Sequence, residues 1–252
     1  MSTIDYSKHY YSARDKDSPV WHLLANRNFE TIRPYLPANR EAPILEIGPG
    51  NGLVISLLLK NEYKNALGLD IDKNLALDAQ KYGIPIKYVP EDKVNDFLRK
   101  DENKYALIFF MHVLEHVSVE HQAEFISSVR FALAPGGKLV CEVPNADSPL
   151  AARWRYCDWT HKCLFSIESL RFILKIGGFQ EVLTMKAKSA VITQRGLFID
   201  TIVCIIKVAF NTFSESIQKI HLIAGIGLEG LKIPVSAAIL GIGIKQDSQN
   251  EH

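Results

Sequence analysis

Ile44-Leu45-Glu46-Ile47-Gly48-Pro49-Gly50-Asn51-Gly52 is the stretch whose reading decides the fold: a short apolar run ends in three alternate glycines, and a segment of helical spacing follows. A run of this length bounded by glycines is a strand. The glycines let the chain turn tightly and bring its N–H groups against a ligand, with a helix N-terminus behind them. Outward from this turn, further apolar runs stand at Ala66-Leu67-Gly68-Leu69, Ile86-Lys87-Tyr88-Val89, Ala106-Leu107-Ile108-Phe109-Phe110 and Leu139-Val140-Cys141-Glu142-Val143. Between them, helical spacing is expected at about 52–60, 73–82, 92–99 and 118–132, with Ser118 as cap of the last and Pro135-Gly136-Gly137 as its stop.

Near-continuous apolar strands alternating with helices predict a parallel sheet covered on both faces. A helix from Ser166 to Gly177-Gly178, a sixth strand over Phe179–Met185 and a seventh over Ala237–Ile244 complete the pattern. The expected fold class is therefore α/β: a Rossmann-like, seven-stranded, mostly parallel sheet with helices on both faces and an apolar helical insertion before the last strand. Residues 1–252 are read as a single domain, with an N-terminal helical cap over about 1–40 and the insertion over about 189–233. The cap helix opens at Ser18-Pro19 and ends near Pro34.

Of 252 residues, 47% are hydrophobic and 23% charged, and 29 Lys+Arg against 28 Asp+Glu leave a net charge of +1. That balance excludes a disordered chain and predicts no nucleic-acid partner. Met1–Arg14 lacks the apolar core of an export signal, and four irregularly spaced cysteines suit reduced thiols, so a cytoplasmic protein is expected. Cys157, His161 and Cys163 do not have zinc spacing, and no metal is expected.

From Gly196 to Ile233 the polar residues Asp200, Lys207, Asn211, Ser214 and Gln218 fall on one narrow helical stripe, leaving the remaining circumference apolar. Such a helix needs cover. The rest of the domain or a second copy of the chain would supply it, and so would a membrane surface or lipid-linked substrate touching residues 197–220. Charges and Pro234 interrupt the run before it reaches bilayer-spanning length, so the expected membrane contact is peripheral, at the inner face.

Asp70 stands 20 residues after Gly50, at the tip of the second strand, where a carboxylate can accept from both hydroxyls of a ribose. The glycine spacing fails the dinucleotide pattern, because Leu53 occupies the place of its third glycine. A nucleoside that is not a nicotinamide dinucleotide is implied.

The run Ile44–Gly52, followed in order by Gly68-Leu69-Asp70-Ile71-Asp72, Val113-Leu114-Glu115-His116-Val117 and Leu133-Ala134-Pro135-Gly136-Gly137, resembles the class I methyltransferases that use S-adenosylmethionine. The resemblance implies that the loop Gly48-Pro49-Gly50-Asn51-Gly52 holds the methionine part of that cofactor and that Glu46 reaches its amino group. It also implies Asp70 on the ribose, Ile71 and Asp92 at the adenine, and Met111 at the methionine end. Ala106 departs from the family pattern, which often has Asp there.

Transfer from a sulfonium demands alignment and, for an alcohol acceptor, a base. His116 and His161 are the candidates, with Asp158 to orient the second. Asn145 and the following loop Arg153-Trp154-Arg155-Tyr156-Cys157-Asp158-Trp159-Thr160-His161 arrive at the ligand edge, where Arg153, Arg155 and Trp159 are suited to bind a sugar or an anion. Asp158-Trp159-Thr160-His161 with Leu164-Phe165-Ser166 and Gly177-Gly178-Phe179 resembles a subgroup found in bacterial surface-polysaccharide pathways, which implies a glycan hydroxyl as acceptor. Quinone O-methyltransferases share several of these motifs. A cofactor-binding protein without catalysis is the reading from another class.

Overall fold

The structure, a computed structural model, describes residues 19–187 and 198–246. In chain order the elements are α1 (Pro19–Ile32), β1 (Ile44–Ile47), α2 (Leu53–Lys60), β2 (Ala66–Asp70), α3 (Lys73–Lys81), β3 (Ile86–Tyr88), α4 (Val94–Lys100) and β4 (Tyr105–Met111). Then come α5 (Val119–Ala132), β5 (Leu133–Pro144), α6 (Ala151–Cys157), α7 (Ile167–Ile176), β6 (Glu181–Lys186), α8 (Phe198–Ile226) and β7 (Ala238–Ile244).

The strands form a seven-stranded sheet in the order β3-β2-β1-β4-β5-β7-β6. The pairs among β1 to β5 are parallel, whereas β7 runs antiparallel to both β5 and β6. Strand order reverses between β1 and β4, and a parallel sheet leaves a crevice outside the carboxyl ends at such a point.

Alternation along the inner strands divides the core in two. Leu45, Ile47, Ile108, Phe110, Leu139 and Cys141 pack with Leu98 of α4, Ile126 and Val129 of α5 and Leu170 of α7. Ile44, Leu107, Phe109 and Val140 face the other way, against Ile32 of α1 and Ile55 and Leu58 of α2. Glu46 and Glu142 share this second face, so the alternation that buries Ile44 and Val140 also carries two carboxylates to its ligand end.

Helix starts follow local chemistry. The Asp72 carboxylate accepts from Asn74 N and Leu75 N to cap α3, and Ser166 and Ser169 exchange bonds in a capping box at α7. Ser118 stands at the head of α5, as expected of a cap, but its side chain makes no capping bond. The larger correction is α6: part of the loop expected between Arg153 and Lys162 is helical from Ala151 to Cys157. Ala151-Ala152-Arg153 is strongly helix-forming, and Ser148 Oγ accepts from Leu150 N just ahead of it. No helix among the described residues is long and apolar enough to cross a membrane. Part of the expected insertion, residues 188–197, lies outside the described residues, as do residues 1–18 of the expected cap.

Candidate active site

A cavity of about 900 Å³ opens at the carboxyl ends of β1, β2, β4 and β5, roofed by α1 and bounded by α6 and α8. The glycine loop forms one wall. Gly48 has φ +70 and donates through its N–H to Leu69 O at 2.8 Å. A Cβ there would lie 2.6 Å from Val113 Cγ2, so the backbone passes where no side chain fits. Gly50 N donates to Asp70 Oδ2 at 3.2 Å and Asp72 N to Asp70 Oδ1 at 2.8 Å, which fixes the carboxylate against the loop.

Glu46, Gly48, Pro49, Gly50, Asp70, Ile71 and Met111 all line the cavity, as do His116, Asp158 and His161. Other expected residues do not. Gly52 lies behind the wall, at the head of α2 with φ +73, where a Cβ would strike Ile84 and Ile86. Asp92 sits in a short 3-10 turn, 74% exposed and beside Lys93, away from the cavity. Asn145 is fully buried and donates to Pro234 O and Ser236 O, so it ties β5 to the approach of β7 and does not face a substrate. Arg153, Arg155 and Trp159 are outside the lining; Trp159 is 90% exposed.

Beyond the loop the cavity floor is a network of charge. Arg27 of α1 donates to Glu142 Oε1 at 2.6 Å. His112 follows β4 with φ +57, a conformation costly for a residue with a side chain. Its Nε2 stands 3.3 Å from Glu142 Oε1 and its Nδ1 3.3 Å from Glu115 Oε1. Desolvation by the surrounding protein opposes the imidazolium of His112, although its side chain is 48% exposed to the cavity, and the two carboxylates outweigh it and push its pKa up to about 10. Burial likewise raises Glu142, but His112 and Arg27 prevail and hold it below the ordinary carboxylate value.

The two expected histidines lie edge to face, ring centroids 4.7 Å apart. Thr160 Oγ1 donates to Asp158 Oδ1 at 2.6 Å, so the hydroxyl must accept from His116 Nδ1 at 2.7 Å. His161 Nδ1 has Trp154 O at 2.5 Å and must donate to it. Nδ1 is thus the donor nitrogen of each ring. Asp158 stands 3.9 Å from His161 Nε2 and holds the pair mainly through Thr160. Burial, the largest influence on His116, lowers its pKa and favours the neutral ring.

Residues 20–184 match the family model for a methyltransferase domain. The chain belongs to that family. The fold of this methyltransferase is also that of solved relatives. It resembles a methyltransferase dependent on S-adenosylmethionine (SAM) from Archaeoglobus fulgidus, with a TM-score of 0.65 at 19% identity over 94% of this chain and 99% of that one. It likewise resembles phosphoethanolamine N-methyltransferase 2 of Haemonchus contortus in complex with S-adenosyl-L-methionine, with a TM-score of 0.59 at 16% identity over 98% and 60% of the two chains. A curated relative, the U6 snRNA methylphosphate capping enzyme Amus of Drosophila melanogaster, is 29% identical over 170 residues, 56% of this chain and 52% of that protein. The match thus spans about half the length of the curated relative.

This methyltransferase is an enzyme whose cofactor is S-adenosylmethionine, and its residues fit that group. Glu46 Oε2 is buried on the cavity wall without a hydrogen-bond partner, as a carboxylate awaiting an ammonium would be. Burial pushes Glu46 up to about 8, with the Asp70 charge adding to the effect. Burial raises Asp70 to about 6 against the opposing backbone N–H groups of Asp72 and Gly50. A ligand bearing positive charge and hydroxyl donors relieves both.

No expectation gave Arg27, His112, Glu142 or Thr160 a role of its own. One signal was available for Glu142, a charge inside the otherwise apolar run Leu139–Val143.

Proposed function

We propose that this methyltransferase moves the methyl group of S-adenosylmethionine to a hydroxyl of a sugar or glycan, as in surface-polysaccharide synthesis, and that the described elements belong to one domain capped by α1. When bound, the cofactor supplies a methyl already activated on a sulfonium, which leaves as a neutral thioether. Glu46 would meet the amino group, Asp70 the ribose, and the Gly48–Gly50 backbone the methionine part, with Ile71 against the adenine and Met111 toward sulfur. An acceptor hydroxyl must shed a proton as its oxygen gains the methyl, and His116 and His161, which line the cavity where such a group would sit, are the side chains to take it.

The observation that carries the reading is a group of hydrogen-bonding side chains at the acceptor end. Asp158, His161, Ser148 and Ser236 line it together with Trp154, set among the apolar Pro149, Leu150 and Val235, and the described cavity residues of α8 are Ser214 and Glu215. Hydroxyl-rich rings take such a mixture of hydrogen-bonding groups and an aromatic face. A quinone would favour an apolar entrance, and the described residues of α8 do not offer one to the cavity. Phe213, Ile217 and Ile220 instead point outward and are exposed, which suits an acceptor carried on a lipid at the cytoplasmic membrane face. The near-neutral charge argues against a polyanion track. Because a relative is named for U6 snRNA, RNA belongs among the acceptors tested.

The test is methyl transfer from labelled S-adenosylmethionine to nucleotide sugars, lipid-linked glycans, quinols and RNA in parallel. Label on a glycan oxygen, located by mass spectrometry, is expected. Label on quinol or RNA alone overturns the reading.

A further inference from the structure

Glu115 follows β4 in a 3-10 turn, is fully buried, and has neither carboxylate oxygen in a hydrogen bond. His112 Nδ1, 3.3 Å from Oε1, is its charge partner, and Oε2 has no hydrogen-bond partner. A buried carboxylate in that state is costly unless something else pairs with it. Beside it stand the two imidazoles of His116 and His161. One ligand atom from each of the three residues lies within 4.8 Å of the others.

The orientation of the rings points the same way. Each imidazole spends its Nδ1–H on a fixed oxygen, Thr160 Oγ1 for His116 and Trp154 O for His161. Thr160 is held in turn by Asp158, through both its hydroxyl and its backbone N–H. A histidine whose second nitrogen is tied to a carbonyl or a carboxylate-backed hydroxyl has its tautomer set for coordination through the first. Two imidazoles and one carboxylate are a donor set for zinc and for other divalent metals of borderline softness.

We infer that Glu115, His116 and His161 form a divalent transition-metal site in the acceptor half of the cavity. Zinc ligands lie roughly 2.0–2.2 Å from the ion, so side-chain rotations of about 1 Å gather the three atoms around one centre. The remaining positions face the cavity and are open to an acceptor oxygen. The metal's task, to polarise a hydroxyl so that its proton leaves to water more readily while its oxygen takes the methyl, rests on the acceptor proposed above. The site itself rests on geometry alone. This departs from the expectation of no metal, which weighed Cys157, His161 and Cys163; of those three only His161 belongs to this cluster.

The test reads metal binding directly, with no acceptor present. Zinc chloride is titrated calorimetrically into the metal-stripped full chain, and cobalt(II) is followed by its visible absorption. One equivalent is expected, with Glu115→Gln, His116→Gln and His161→Gln each weakening binding more than tenfold while S-adenosylmethionine affinity stays within a few-fold. If Glu115→Gln does not fold, the two histidine variants decide. Absence of zinc binding tighter than 100 μM, or equal binding in the variants, overturns the site. Metal binding that survives alongside transfer to a non-hydroxyl acceptor removes only the earlier reading; transfer to a hydroxyl without metal binding removes only this one.

Discussion

Arg27 and Glu142, 115 residues apart in the chain, meet at 2.6 Å across the roof of the cavity, with Glu142 almost wholly excluded from solvent. The contact joins α1 to β5, and through His112 to the turn that carries Glu115 and His116. The roof and the acceptor floor are thus one electrostatic unit. Removing the guanidinium leaves a buried carboxylate with only His112 beside it, and breaking a buried pair from one side costs roughly 3 kcal/mol. Arg27→Met is therefore expected to lower unfolding stability by about that amount in urea titrations, at unchanged m-value. Arg27→Met/Glu142→Met should recover part of the loss. A double variant that is additive would show the two side chains to be energetically independent.

Asp70 and Asp92 make a matched pair of carboxylates with opposite expected outcomes. The first accepts from Gly50 N and Asp72 N on the cavity wall, and the second is exposed beside Lys93. Hydrogen bonds to a charged group contribute roughly 1.5–3 kcal/mol. Asp70→Asn is accordingly expected to weaken S-adenosylmethionine binding by about tenfold to one hundredfold. Asp92→Asn should leave the dissociation constant within twofold. Calorimetry decides both, and a loss at Asp92 equal to that at Asp70 would contradict the placement of the turn.

The contrast also shows why some of the site is readable in the chain and some is not. Gly48, Gly50, Glu46 and Asp70 are legible because a strand and its following turn dictate their places over a few residues. Asp92 misleads because one 3-10 turn decides its direction, and nothing local marks which of Glu91, Asp92 and Lys93 faces inward. The network of Arg27, His112 and Glu142 joins three distant segments, so no window of sequence contains it. Trp159 and the arginines of α6 look like substrate groups by composition, but the helical turn carries them away from the cavity.

Glu46 and Asp70 give the ligand-free enzyme a pH dependence whose sign follows from their raised values. Burial moves Glu46 from 4.5 to about 8 and Asp70 from 3.8 to about 6. The folded chain thus retains protons that the unfolded chain releases. The stability held by the neutral forms is full below their ordinary values, and is lost as pH rises through about 6 and then about 8. A cationic ligand against Glu46 prefers the ionised form, so S-adenosylmethionine affinity should increase with pH, by roughly tenfold between pH 6 and 7.5. Glu46→Gln is expected to flatten that slope and to raise the melting temperature of the ligand-free protein at pH 8. An identical slope in wild type and variant would assign the effect to another group.

Gly48 separates two costs that the loop must avoid. Its φ of +70 disfavours any side chain by roughly 1–2 kcal/mol, and a Cβ would stand 2.6 Å from Val113 Cγ2. Gly48→Ala should therefore both destabilise the fold and displace the loop proposed to meet the methionine part of the cofactor. Val113→Ala opens space for the new methyl and leaves the backbone cost in place. Gly48→Ala/Val113→Ala is expected to bind S-adenosylmethionine more tightly than Gly48→Ala alone, and more weakly than Val113→Ala. Thermal melts with and without cofactor resolve the order. If the double variant binds no better than Gly48→Ala, the clash with Val113 is not what glycine prevents at this position, and the left-handed backbone alone accounts for it.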